Sequence, residues 1–247
     1  MITNNSICTI KQVNNQITLS HRTNSPTSFP IERLNNKEYL VKSSGEIREY
    51  NTSSHLNPKS YKRMCVKLRD LIIHNFTNDE TKLITLTYAT PQYNADQVQK
   101  HLTNYFKSIR TKHEFDYITV IEPHQNGAFH AHILLKFNST PATNKILKEK
   151  WKHGHAKVEK VKNINALAHY FTSEKKAKRL HFYPPHFKIY RKSSGVISPK
   201  AIKMTKEQFI NDYNVIKTNE YTKIITDSSD QIINQITKEY YTLKGEN

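Results

Sequence analysis

The chain has 247 residues, enough for one domain with extensions or for two small domains. It carries 38 Lys and Arg against 21 Asp and Glu, a formal charge of +17, which predicts a polyanionic partner such as nucleic acid. No apolar stretch approaches the roughly 18 residues of a membrane-spanning helix, and no basic and apolar leader opens the chain. We therefore expect a cytoplasmic protein without a membrane partner.

The predicted elements begin with a polar segment at 1–58, in which 7–19 and 38–50 show short β-like alternation. We interpret this segment as an accessory arm. The following elements are a helix at 59–76, a strand at 82–88, a helix at 95–112 and a strand at 115–121.

The dipeptide Asn126-Gly127 lies between two apolar runs, a pattern typical of a tight hairpin. It predicts antiparallel pairing of 115–122 with 128–137. Beyond it the pattern predicts a helix at 143–153, a strand at 156–161, a helix at 164–178 and, past Pro199, a short helix with weak strands. The sequence thus predicts an α+β domain at 59–199 around a central antiparallel sheet, with a C-terminal extension at 200–247.

Two histidines lie in the second strand of this hairpin. Because side chains alternate between the faces of a strand, His130 and His132 point the same way, and Glu122 lies across the turn from the first of them. Two imidazoles and a carboxylate suit a divalent ion that must also hold a phosphate oxygen. His124 is an alternative third ligand.

Several segments together resemble the rolling-circle replication initiators of the HUH-endonuclease class, which plasmids and phages encode. The resemblance covers roughly 38–200. It is carried, in order, by Thr85-Leu86-Thr87-Tyr88, Glu122, Asn126-Gly127, His130-Ala131-His132, Trp151, Gly154, Tyr170 and the stretch 179–197.

The resemblance implies a ferredoxin-like palm with five antiparallel strands, in which His130, His132 and Glu122 bind Mn²⁺ or Mg²⁺ and Tyr170 is the nucleophile. Thr85, Thr87 and Tyr88 match a motif linked to DNA binding. The family often has a lysine three residues after the tyrosine, where this chain has Ser173; Lys175 or Lys176 is then expected to replace it.

These expectations define an enzyme that nicks and rejoins single-stranded or hairpin origin DNA in a bacterial host cell, through a 5′-phosphotyrosine intermediate. Basic residues near aromatic side chains are expected to contact the DNA: Lys178, Arg179, Lys188, Arg191 and Lys192. No phosphate-binding loop motif is present, so a host helicase and replication machinery are expected partners, with a homodimer as a further possibility.

Two alternatives remain open from the sequence. One is a transposase or conjugative relaxase with the same metal and tyrosine chemistry. The other is a non-catalytic nucleic-acid-binding protein on the same fold.

Overall fold

The computed structural model describes residues 2–23, 31–35, 37–50, 58–226 and 230–244. The chain divides into two compact units, which we call the central unit (53–198) and the terminal unit (1–52 with 199–247). Residues that the sequence separated into an N-terminal arm and a C-terminal extension therefore lie in one unit.

The strands and helices follow in chain order: β1 (Ile7–Val13), β2 (Gln16–Arg22), β3 (Ile31–Arg33), β4 (Glu38–Val41), β5 (Glu46–Glu49), α1 (Pro58–Asn75), β6 (Thr81–Tyr88), α2 (Ala95–Arg110), β7 (Phe115–Pro123), β8 (Phe129–Phe137), α3 (Asn144–Glu149), β9 (Gly154–Lys160), α4 (Ile164–Phe171), a 3₁₀ helix (Glu174–Phe182), β10 (Tyr190–Lys192), β11 (Ala201–Thr205), α5 (Lys206–Asp212), β12 (Val215–Thr226) and β13 (Ile232–Leu243).

A five-stranded sheet in the order β10-β7-β8-β6-β9 forms the centre of the central unit, and each of its pairings is antiparallel. The expected central antiparallel sheet is present, with the histidine strand β8 in the middle. The ring of Phe171 in α4 contacts His132 on one face of the sheet. On the opposite face the hydroxyl of Tyr88 is hydrogen-bonded to His101 in α2. Helices thus cover both faces.

The turn between β7 and β8 fixes the pairing of these two strands. The backbone N–H of His124 donates to the carbonyl of Ala128 at 2.7 Å, and the side chain of Asn126 accepts from the N–H of Ala128. Gly127 has a φ of +85°, which disfavours residues with a side chain. The resulting register places Glu122 directly opposite His130.

Two predicted helices are shorter than expected. The helix expected at 143–153 covers only Asn144–Glu149, and β9 already begins at Gly154. The helix expected at 164–178 ends at Phe171 and is followed by the separate 3₁₀ helix. Both differences lie in segments with polar or lysine-rich sequence, where helical periodicity says little about where a helix ends.

The terminal unit contains a second five-stranded antiparallel sheet, in the order β11-β1-β2-β13-β12, and a small sheet of β3, β4 and β5. Phe209 of α5 is fully buried in a cluster with Ile10, Leu19 and Tyr241, so α5 covers one face of the larger sheet. The two last strands have 12 residues each, which the sequence had indicated only as weak strands.

In the described part of the chain, no helix combines the length and the apolar composition that crossing a bilayer requires.

Candidate metal centre and facing tyrosine

Three potential ligands converge on one face of the central sheet. Glu122 at the end of β7 pairs with His130 in β8, and His132 lies two residues further along β8 on the same face. Their relative exposures are 6%, 8% and 8%, although all three are polar. One ligand atom from each residue lies within 4.8 Å of the other two. Such a buried polar group requires partners, and a cation would satisfy all three at once.

The electrostatics of these side chains suit a divalent cation. The Nε2 atoms of His130 and His132 are 3.1 Å apart, and Nε2 of His132 is 3.9 Å from a carboxylate oxygen of Glu122. Burial, with the neighbouring imidazole, lowers the pKa of His130 to about 3, and burial, with Lys176, lowers the pKa of His132 to about 4. Both rings are thus neutral at pH 7 and can offer a lone pair to a metal. Two imidazoles and one carboxylate favour a transition metal such as Mn²⁺ over Ca²⁺.

The second nitrogen of each ring has a different environment. Nδ1 of His132 is 3.1 Å from the hydroxyl oxygen of Thr85, which lies opposite it in β6. This contact orients the ring with Nε2 towards Glu122, as the outer partners of metal-binding histidines commonly do. Nδ1 of His130 is buried and has no hydrogen-bond partner among the described residues.

His124, the alternative third ligand, lies outside this group. Its ring stacks on His130 with 4.1 Å between ring centroids, and the residue is exposed. Among the described residues, the group of potential ligands contains Glu122 and not His124.

Tyr170 lies on α4, above the two histidines. Its ring meets His132 edge to face, with 6.2 Å between centroids, while 55% of the residue is exposed. Burial and the charge of Glu122 raise the pKa of its phenol. Within these surroundings Tyr170 stays protonated at neutral pH, so an additional positive charge is needed before its oxygen becomes a good nucleophile.

Side-chain hydrogen bonds hold α4 in place at both ends. Asn163 caps the N-terminus by accepting from the N–H of Ala166. At the other end the hydroxyl of Thr172 donates to the carbonyl of Ala168 and accepts from two N–H groups of Arg69 in α1. Tyr170 is therefore presented from a fixed helix and not from a loop.

The break after α4 brings Lys176 to the site. Ser173 has an extended backbone, with ψ of 132°, so the chain turns before the 3₁₀ helix begins. The ammonium of Lys176 then donates to Glu122 and lies 4.1 Å from the centroid of the Tyr170 ring. Lys175 is exposed. Of the two expected replacements for the family lysine, Lys176 is the one beside the tyrosine.

The residues expected to contact DNA are distributed unevenly. Thr85 contacts His132, and the hydroxyl of Thr87 donates to the carbonyl of His155. Tyr88 packs internally against Trp151 and His101. The structure leaves three of the expected DNA contacts exposed: Lys178, Lys188 and Arg191.

Arg179 and Lys192 donate instead to backbone carbonyls. Arg179 binds the carbonyl of Pro123 at 3.0 Å, next to Glu122, and Lys192 binds the carbonyl of Val196 at 2.5 Å. Arg179 therefore supports the end of β7.

Sequence reasoning missed two contributors to this site. Thr85 was expected to bind DNA, yet its contact with His132 follows from strand register, which places the two residues directly opposite each other. The anchor between Arg69 and Thr172 joins residues 103 positions apart, and no local pattern indicates it.

The comparisons with known proteins agree with this region. Residues 81–179 match the family of ORF2-type replication-associated proteins, a span that includes Glu122, both histidines, Tyr170 and Lys176 but less than half of the chain. The match is consistent with a replication initiator. No curated protein and no solved structure matches the chain.

Proposed function

We propose that the central unit is a metal-dependent nickase that starts rolling-circle replication of a plasmid or phage, built on a ferredoxin-like palm of the HUH-endonuclease class. The observation that carries this proposal is the position of Tyr170, whose ring faces His132 directly above the buried group of Glu122, His130 and His132. The family match at 81–179 favours replication over transposition or conjugation.

The chemistry assigned to this site is a transesterification. The phenolic oxygen of Tyr170 attacks a backbone phosphorus of single-stranded DNA, forming a bond between phosphorus and the tyrosine oxygen. The bond between phosphorus and the 3′ oxygen breaks. The phenolic proton leaves to solvent, and the departing oxygen takes up a proton to become the 3′-OH that primes synthesis.

The surrounding side chains have separate tasks in this reaction. His130, His132 and Glu122 would hold the divalent ion, which supplies positive charge to the phosphate oxygens. The ammonium of Lys176, 4.1 Å from the Tyr170 ring centroid, stabilises negative charge developing on the phenol. Thr85 keeps the His132 ring oriented.

The test is formation of a covalent adduct with a pool of random-sequence single-stranded oligonucleotides in Mn²⁺. The proposal expects a denaturation-resistant adduct that carries a label from the 3′ end of the DNA and not from the 5′ end. Mass spectrometry should find the phosphate on Tyr170.

Two variants and a control make this test specific. Tyr170→Phe and His130→Ala should each abolish the adduct, whereas Tyr93→Phe, which changes another exposed tyrosine of the same unit, should form it normally. An adduct formed by Tyr170→Phe, or at full yield in EDTA, would contradict the proposal.

A further inference from the structure

We infer that the terminal unit carries a second binding surface for single-stranded DNA, on the face of its five-stranded sheet that α5 does not cover. This surface shares only its ligand with the proposed nicking site. It requires neither the metal nor Tyr170.

Strand alternation separates the two faces of this sheet. Cys8 and Ile10 in β1, with Ile17 and Leu19 in β2, point into the buried cluster under α5. Their neighbours along each strand point to the opposite face, which we call the open face. The open face therefore presents one half of the residues of all five strands.

The open face is basic in composition. Strand register places on it five cations: Lys11, Arg22, Lys203, Lys223 and Lys238. Among the described residues of these five strands, the only carboxylates are Glu220 and Glu239, and both belong to the opposite face. Charge on the open face is thus of one sign, which is the complement of a phosphate backbone.

Two tyrosines accompany these cations. Tyr221 in β12 pairs with Lys238, and Tyr240 lies two residues further along β13, so the two tyrosines are diagonal neighbours on the open face. Tyr221 is 56% exposed. Aromatic rings between cations on a sheet are a platform on which unpaired bases can stack.

The same unit is poorly suited to reading duplex DNA. Its helix α5 has seven residues and buries Phe209 in the core, so it is not available to enter a major groove. The ribbon of β12 and β13 ends near the exposed Asp230, whose charge repels phosphate. We therefore assign the open face to single-stranded and not to double-stranded DNA.

The experiment measures fluorescence anisotropy of labelled oligothymidylate with the full chain, in the Tyr170→Phe background and in EDTA. Nicking cannot occur under these conditions, so failure of the proposed nicking function leaves the measurement unaffected. The slope of log affinity against log salt concentration counts the phosphate contacts.

One variant removes three exposed cations of the open face: Lys203→Gln, Lys223→Gln and Lys238→Gln. Each lost phosphate contact should reduce the salt slope by about 0.7, so the triple variant should lose about 2. The matched control replaces three exposed lysines at α3 with Gln: Lys145, Lys148 and Lys150. It changes the net charge equally and should leave the slope unchanged.

The tyrosine variants test stacking separately from charge. Tyr221→Ala should weaken binding about fivefold or more without changing the salt slope, and Tyr221→Phe should retain the affinity. An unchanged slope in the open-face triple variant would overturn the inference, as would an equal loss in the α3 control. A loss confined to a duplex probe would overturn the assignment to single strands.

Discussion

The contact between Thr85 and His132 can be tested by a change of a single group. Thr85→Val replaces the hydroxyl with a methyl group and keeps a β-branched residue that suits β6. His132 then loses the partner of its Nδ1, 3.1 Å away, while its place in the β6 and β8 pairing is unchanged. The perturbation therefore acts on the orientation and tautomer of one ligand.

The expected size of the effect follows from the hydrogen bond that is lost. Such a bond contributes about 0.5–1.5 kcal/mol, and loss of an outer partner of a metal ligand typically weakens metal affinity about 10- to 100-fold. Because only one of three potential ligands is affected, we expect a loss of about tenfold for Mn²⁺, or about 1.4 kcal/mol.

Isothermal titration of Mn²⁺ into the DNA-free protein measures this loss directly. Thr87→Val is the matched control, because it makes the same change two residues along β6, where the hydroxyl donates to His155 and touches none of the three ligands. Equal Mn²⁺ affinities in wild type and Thr85→Val would refute the orienting role of Thr85. An equal loss in Thr87→Val would show that the effect is not specific to His132.

Three further expectations concern other contacts. Lys176→Gln should slow adduct formation with single-stranded DNA at least about tenfold, because charge beside the attacking oxygen is lost, and quenched-flow kinetics should show a much smaller effect for the exposed Lys175→Gln; the reverse order would assign the role to Lys175. Thr119→Val should raise the free energy of unfolding by about 1 kcal/mol, because the buried Thr119 hydroxyl has no hydrogen-bond partner within the described ranges, and urea denaturation that shows a destabilised variant would contradict this. Burial raises the pKa of Glu239, but hydrogen bonds from Lys217, Lys206 and Tyr241 together lower it below its ordinary value. Its stabilising effect is therefore present above the ordinary carboxyl range and lost as pH falls below it. Glu239→Gln should destabilise the terminal unit by about 2 kcal/mol or more at neutral pH, with a smaller difference from wild type near pH 3, measured by hydrogen exchange in β13; a difference that does not shrink in acid would contradict the ion-pair explanation.

Local patterns were sufficient for the elements that position the ligands. The Asn126-Gly127 turn and the alternation of β8 predicted the hairpin, and with it the shared face of His130 and His132. Both features depend on interactions between residues close in sequence, which is why a single sequence contains them.

Long-range contacts were beyond the reach of the sequence. The position of Lys176 depends on the break after α4, and that break is held by Arg69, which lies in another helix. The sheet of the terminal unit joins β2 to β13, whose paired residues Ser20 and Lys238 are separated by most of the chain. Neither strand has a pattern that names its partner, so the two were predicted as parts of separate extensions.

The joint sheet also constrains how the protein is made. Since β1 and β2 pair with β11 and β13, the first strands to leave the ribosome must wait for the last ones, while the residues of the central unit are already complete. The nascent chain therefore carries two unfinished sheet edges during synthesis, and closing this sheet is a late event. Translation that stops before β13 would leave the central unit whole but the sheet of the terminal unit without one of its inner strands, and such products should be removed by proteolysis of the exposed edge.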